Sequence, residues 1–84
     1  MAMVAGAKEL GLSDADATTL TVQTIVGAAK LLGESGKSAT TLRENVTSPN
    51  GTTAAALASF GSSDLNSMVA KAMKAARDRS QELA

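Results

Sequence analysis

Asp14-Ala15-Asp16-Ala17-Thr18-Thr19-Leu20-Thr21-Val22-Gln23-Thr24-Ile25-Val26-Gly27-Ala28-Ala29-Lys30-Leu31-Leu32-Gly33 is the stretch on which the fold turns. Ser13 before it is an N-cap residue, and Asp14 and Asp16 suit the positive end of a helix dipole. Its apolar residues do not keep to one face. Ala17, Leu20, Ala28 and Leu31 form one stripe, while Val22, Ile25, Val26, Ala29 and Leu32 spread around the other sides, and no charge occurs from Thr18 to Ala29. The spacing predicts a helix from about Asp14 to Gly33 or slightly beyond, ~30 Å long at 1.5 Å per residue. A helix apolar on most sides is an enclosed helix. The short helices left in a chain of 84 residues hardly suffice to cover it. Two structures satisfy that demand: a second copy of the chain wrapped around it, or a monomeric bundle with this helix at its centre. Gly27, Ala28 and Ala29 allow a neighbouring backbone to come close.

Moving outward, Met3, Val4, Ala7 and Leu10 share a helical face over residues 2–10, and Gly11 stops that helix. Met1-Ala2 reads as a start supplied where a longer chain was cut. Gly33-Glu34-Ser35-Gly36 closes the long helix, and a short one from about Ser38 to Asn45 turns Leu42 inward. Lys37 and Arg43 beside it are candidate anion partners, with solvated charge the commoner role of such residues. The last helix spans about Asp64 to Glu82, after a break at Gly61-Ser62-Ser63 with Ser63 or Ser62 as its cap. Leu65, Met68, Val69, Ala72, Met73 and Ala76 follow helical spacing, with the two methionines read as core filler. Lys71, Lys74, Arg77 and Asp78 fall on its other sides; with acids interleaved and no aromatic anchor, they form a solvated face. No stretch reads as a strand.

Between the short helix and the fourth lies Val46-Thr47-Ser48-Pro49-Asn50-Gly51-Thr52-Thr53. Pro49 fixes its own φ and pushes Ser48 out of the helical region, so a helix arriving from upstream ends here. Asn50-Gly51 supplies turn residues that tolerate φ > 0. A new helix from Gly51 to Phe60 then opens on Thr52 and Thr53. Two hydroxyls and several unpaired backbone N–H groups at a helix N-terminus suit a carboxylate or phosphate. An ordinary corner between two helices, with Ser and Thr acting only as caps, fits the same residues.

Composition removes much else. There is no cysteine and no histidine, hence no disulfide framework, no thiolate metal site and none of the commonest general base. Phe60 is the only aromatic residue, so a base or sugar finds little to stack on. Eight basic and eight acidic residues give zero formal charge, which speaks against nucleic acid and anionic membrane as partners. No apolar run approaches the ~20 residues of a membrane span. Asn45-Val46-Thr47 and Asn50-Gly51-Thr52 match the glycosylation sequon, which carries little weight without a secretory leader. No phosphate-binding loop and no nucleophile paired with histidine is present. The expectation is a single all-α cytoplasmic domain of about five helices, without metal, assembling as a homodimer.

Four segments together resemble a known family. They are Gly11-Leu12-Ser13; Gln23-Thr24-Ile25-Val26-Gly27-Ala28-Ala29-Lys30-Leu31-Leu32; the run from Leu42-Arg43-Glu44-Asn45 through Val46-Thr47-Ser48-Pro49-Asn50-Gly51-Thr52-Thr53; and Ala75-Ala76-Arg77-Asp78-Arg79-Ser80-Gln81-Glu82-Leu83. They are similar to the C-terminal domain of pyrroline-5-carboxylate reductases over essentially the whole chain. The resemblance implies an interlocked helical dimer like the C-terminal domain of 6-phosphogluconate dehydrogenases. It implies reduction of the cyclic imine 1-pyrroline-5-carboxylate to proline by NADPH or NADH, the dinucleotide lying in an N-terminal Rossmann domain outside residues 1–84. Each active site then lies between one subunit's Rossmann domain and the other's helical domain. At matching positions, Ser48 and Thr53 offer hydroxyls to the imine, and the Gly51-Thr52 backbone receives its carboxylate. Thr53 is the candidate proton donor or substrate orienter. Asn50 stands where many members have glycine, and leaves φ > 0 accessible. The isolated chain is expected to be inactive. The competing expectation is a free-standing helical module used only for assembly.

Overall fold

The computed structural model describes residues 1–84. Five helices make up the chain: α1 (Ala2–Glu9), α2 (Asp14–Glu34), α3 (Ala39–Asn45), α4 (Thr52–Ser62) and α5 (Leu65–Leu83). No strand occurs. The chain divides into two compact units, Met1–Leu42 and Arg43–Ala84.

In the first unit α1 packs on α2. The link between them is set by Gly11, whose φ of 106° few L-residues adopt. Its N–H donates to the Lys8 carbonyl at 3.0 Å and the Leu12 N–H to the Ala7 carbonyl at 3.2 Å, the paired bonds of a Schellman stop. α1 therefore ends one residue before Leu10, and Leu10 turns out to solvent, 89% exposed, instead of sharing the face of Val4 and Ala7. Ser13 caps α2 as expected, its Oγ accepting from the Asp16 N–H at 3.2 Å. Lys8 Nζ and Asp14 Oδ1, 2.7 Å apart, tie the two helices at the surface. α2 runs through Gly33 to Glu34, and its positive-φ stop falls at Gly36, φ 73°. Thr24 lies inside α2 despite its β-propensity, because its hydroxyl donates back to the Leu20 carbonyl at 2.7 Å.

The buried residues of the chain are Ala17 and Thr21, both on α2. Leu20, Val22, Ile25, Val26, Leu31 and Leu32 are between 44% and 56% exposed. The long helix is thus not enclosed by its own unit. A Cβ added at Gly27 would meet nothing within 4 Å, so no element of the chain uses the close approach that Gly27 permits.

Ser38 caps α3, its Oγ accepting from the Thr41 N–H at 3.1 Å, and Leu42 is half-buried as expected. In the second unit α4 packs on α5. The break between them differs from the expected one. Gly61 and Ser62 remain helical, and the chain turns at Ser63 and Asp64. Ser63 ends α4, its N–H donating to the Ser59 carbonyl at 3.1 Å. Asp64, not Ser63 or Ser62, occupies the N-cap of α5 in the left-handed region, φ 58° and ψ 49°, with no side-chain cap bond. A glycine inside a helix costs only about 1 kcal/mol, so α4 continues two residues past Phe60, and Asp is one of the few L-residues that tolerate the left-handed region.

Met68 and Met73 were expected in a core. They are 58% and 68% exposed, and Leu65 and Val69 are 36% and 47% exposed, so the α5 stripe is as uncovered as α2. The other face behaves as expected. Lys74 and Arg77 both pair with Asp78 at 3.0 Å, and Arg79 pairs with Glu82 at 3.0 Å, all in contact with solvent.

Candidate functional site

The candidate turn belongs to the second unit. The Gly51 N–H donates to the Ser48 carbonyl at 3.0 Å, closing a four-residue turn over Pro49 and Asn50. Pro49 supplies the negative φ of the second position, and Asn50, at φ 60°, supplies the positive φ of the third. The left-handed conformation thus falls on Asn50 alone. Gly51 is extended, φ −84° and ψ 179°, a backbone that any residue adopts. Glycine is favoured there by contact instead: a Cβ at residue 51 would lie 2.5 Å from the rotatable Ser48 Oγ and 3.1 Å from the Ser48 carbonyl oxygen.

Gly51 is the N-cap of α4 and has no side chain to give, so α4 starts without a side-chain cap. In α2 and α3 that place is filled by a serine hydroxyl, from Ser13 and Ser38. The N–H groups in the first turn of α4 are therefore left for an external acceptor. The nearby hydroxyls divide in the same way. Thr47 donates to the Arg43 carbonyl and Ser62 to the Ser59 carbonyl, both local backbone bonds. The hydroxyls of Ser48, Thr52 and Thr53 take no part in the hydrogen bonds made within the chain. Ser48 and Thr52 are exposed, while Gly51 and Thr53 are half-buried. The structure thus brings Ser48 onto Gly51 and sets Thr52 and Thr53 at the head of α4.

Two recesses lie away from the turn. One, about 290 Å³, is lined in the second unit by Arg43, Leu57, Phe60, Asp64 and Leu65. The other, about 370 Å³ and open, lies along the C-terminal half of α2 beside Lys30 and Leu31. The first includes Arg43, read from the sequence as an anion partner or as solvated charge.

A wholly helical chain with two buried residues and long apolar faces in the open defines an assembly domain. Comparison with known proteins gives its kind. A family model described as pyrroline-5-carboxylate reductase dimerisation matches residues 1–83. The pyrroline-5-carboxylate reductase of Pseudomonas aeruginosa is 46% identical over 83 residues, covering 99% of this chain and 30% of that protein. Pyrroline-5-carboxylate reductase 1 of Bacillus subtilis is 42% identical over 76 residues, covering 90% of this chain and 26% of that protein. Among solved structures, Plasmodium falciparum pyrroline carboxylate reductase with NADP bound superposes with a TM-score of 0.85 at 28% identity, over 88% of this chain and 30% of that one. The chain belongs to the pyrroline-5-carboxylate reductase dimerisation family. It spans about 30% of the length of the curated relatives it matches.

The fold class expected from the sequence, all-α with about five helices, is the one observed. No helix is long and apolar enough to cross a membrane. Residues 1–84 contain no strand and no Gly-x-Gly-x-x-Gly segment.

Proposed function

We propose that this chain is the dimer-forming and substrate-carboxylate-binding part of a cytoplasmic NAD(P)H-dependent reductase that converts 1-pyrroline-5-carboxylate to proline. Its α2 and α5 faces interlock with those of a second copy. The ten partly exposed side chains Leu20, Val22, Ile25, Val26, Leu31, Leu32, Leu65, Met68, Val69 and Met73 leave about 90 Å² apiece open. Two copies joined over them bury roughly 1,800 Å², a standard-sized stable interface. The open turn is then half of a site, completed by the dinucleotide-binding part of the enzyme, which supplies the hydride when bound. This accounts for both recesses lying elsewhere.

Within the half-site, the α4 N–H groups at Gly51-Thr52 hold the substrate carboxylate, and the helix dipole adds to their attraction. Ser48 and Thr53 hydroxyls bond the ring. Fixing the ring against a second reactant removes a large orientational share of the barrier. Thr53, half-buried, stands beside the imine nitrogen as orienter or proton donor, with water as the other proton source. The single observation that carries this reading is the uncapped start of α4, flanked by three hydroxyls with no partner in the chain.

The test joins residues 1–84 to the N-terminal part of the Pseudomonas aeruginosa relative and follows NADPH oxidation with the imine. Activity with the parent chimera, and a fall on the order of tenfold or more in kcat/KM for Thr53→Val with the dimer intact, is the expected result. Full activity in Thr53→Val and Thr53→Ala would leave the chain as an assembly module only.

A further inference from the structure

Two separate geometric demands narrow the residues at positions 50 and 51. Position 50 has φ 60°, where Asn and Gly sit at least cost. Position 51 disfavours a Cβ, which would lie 2.5 Å from Ser48 Oγ, a group that can rotate away, and 3.1 Å from the Ser48 carbonyl oxygen, which would have to give by a few tenths of an ångström. The turn therefore favours Gly-Gly or Asn-Gly, and this chain carries Asn-Gly. Asn before Gly is also the pair in which the following backbone nitrogen meets least obstruction in attacking the side-chain amide.

We propose that Asn50 is a site of spontaneous deamidation, and that the carboxylate so formed caps α4. The Gly51 nitrogen, after giving its proton to solvent base, forms a bond to Asn50 Cγ. The bond from Cγ to the side-chain nitrogen breaks, and ammonia leaves with a proton from solvent. A five-membered succinimide remains. Water then adds to one of its two carbonyl carbons and the ring C–N bond opens, giving aspartate at one carbon and isoaspartate at the other. One water is consumed, one ammonia is released, and nothing is oxidised or reduced.

The other two asparagines lack this arrangement. Asn45 precedes the β-branched Val46, whose side chain crowds the attacking nitrogen, and Asn66 lies within α5, where the helix holds the backbone rotation that ring closure needs. Asn50 is exposed to water, and the bond from the Gly51 N–H to the Ser48 carbonyl is what restrains its nucleophile. Opening of one exposed turn frees it. The product carboxylate sits just before an α4 N-terminus that has no side-chain cap. Isoaspartate also lengthens the main chain by one carbon at that point. Given the function proposed above, the new carboxylate competes with the substrate's own for the same donors, and the aged turn is closed to substrate.

The experiment incubates the 84-residue chain in mildly alkaline buffer and maps its peptides by mass, beside Asn50→Gly and a free peptide spanning residues 44–56. The expected result is loss of the amide at residue 50, with separable aspartyl and isoaspartyl forms, while Asn45 and Asn66 keep theirs and Asn50→Gly is unchanged. An amide retained at residue 50 while the free peptide converts would overturn the proposal, as would equal conversion at Asn66. In Asn50→Asp, the Thr52 and Thr53 amide resonances should shift as the carboxyl titrates; flat resonances would refute the cap. If both results are as expected but Asn50→Asp leaves KM of the chimera unchanged, the substrate reading of the turn fails and the modification stands.

Discussion

Replacing Ile25 with Asp places a carboxylate in the middle of the uncharged run of α2, at a residue left 44% exposed by its own chain. That open share amounts to about 80 Å², and at ~25 cal/mol per Å² its cover by a partner contributes about 2 kcal/mol. A twofold-symmetric dimer contains the residue twice. The loss is therefore about 4 kcal/mol, or roughly three powers of ten in dissociation constant. Desolvating the two carboxylates adds to it. Light scattering over a dilution series, with far-UV circular dichroism on the same samples, measures both consequences. The unaltered chain should be a helical dimer at micromolar concentration. Ile25→Asp should lose dimer and helix together, since Ala17 and Thr21 alone are buried without a partner. Ile25→Val removes one methylene, costs about 1 kcal/mol per copy, and should remain dimeric. A wild-type chain that is monomeric yet melts cooperatively, or an Ile25→Asp chain with an unchanged dissociation constant, would refute the reasoning.

Gly51→Ala separates backbone from contact. At a compatible φ and ψ such a change stabilises by about 0.4–1 kcal/mol, but the approach to Ser48 should reverse the sign to a loss of about 1–3 kcal/mol in thermal unfolding, partly restored by adding Ser48→Gly. Ser13→Ala should cost about 1 kcal/mol by removing the cap of α2, read as a lower urea midpoint with an unchanged slope. Asp64→Gly should raise stability by about 1 kcal/mol by relieving the left-handed N-cap of α5, whereas Asp64→Val should lower it by more; the reverse order would remove that strain from the account.

Much of the chain was legible because its signals are local. Gly11, Ser13 and Ser38 act through bonds to residues three positions away at helix ends, and Pro49 acts through its fixed φ in the turn before α4. The turn at Ser48–Gly51 was legible for the same reason, including the tolerance of Asn50 for positive φ. The break between α4 and α5 was misplaced. Three candidate residues, Gly61, Ser62 and Ser63, all resemble stops, and α4 runs through the first two before the chain turns at Ser63 and Asp64. A single chain leaves Met68 and Met73 of α5 exposed; helical spacing reports that a face is apolar and is silent on what covers it.

Five helices, the Ser13 cap of α2, the turn over Pro49 and Asn50, and the excess of apolar surface on α2 are all readable from residue order. Each of these follows from the conformational limits and hydrogen-bonding capacity of residues close together in the chain. The three-dimensional arrangement adds that a Cβ at Gly51 would crowd Ser48, that Asp64 takes the left-handed position, and that the α2 and α5 faces are exposed in a single chain. The first two are local backbone geometry that residue type leaves open; the third depends on which elements meet in space.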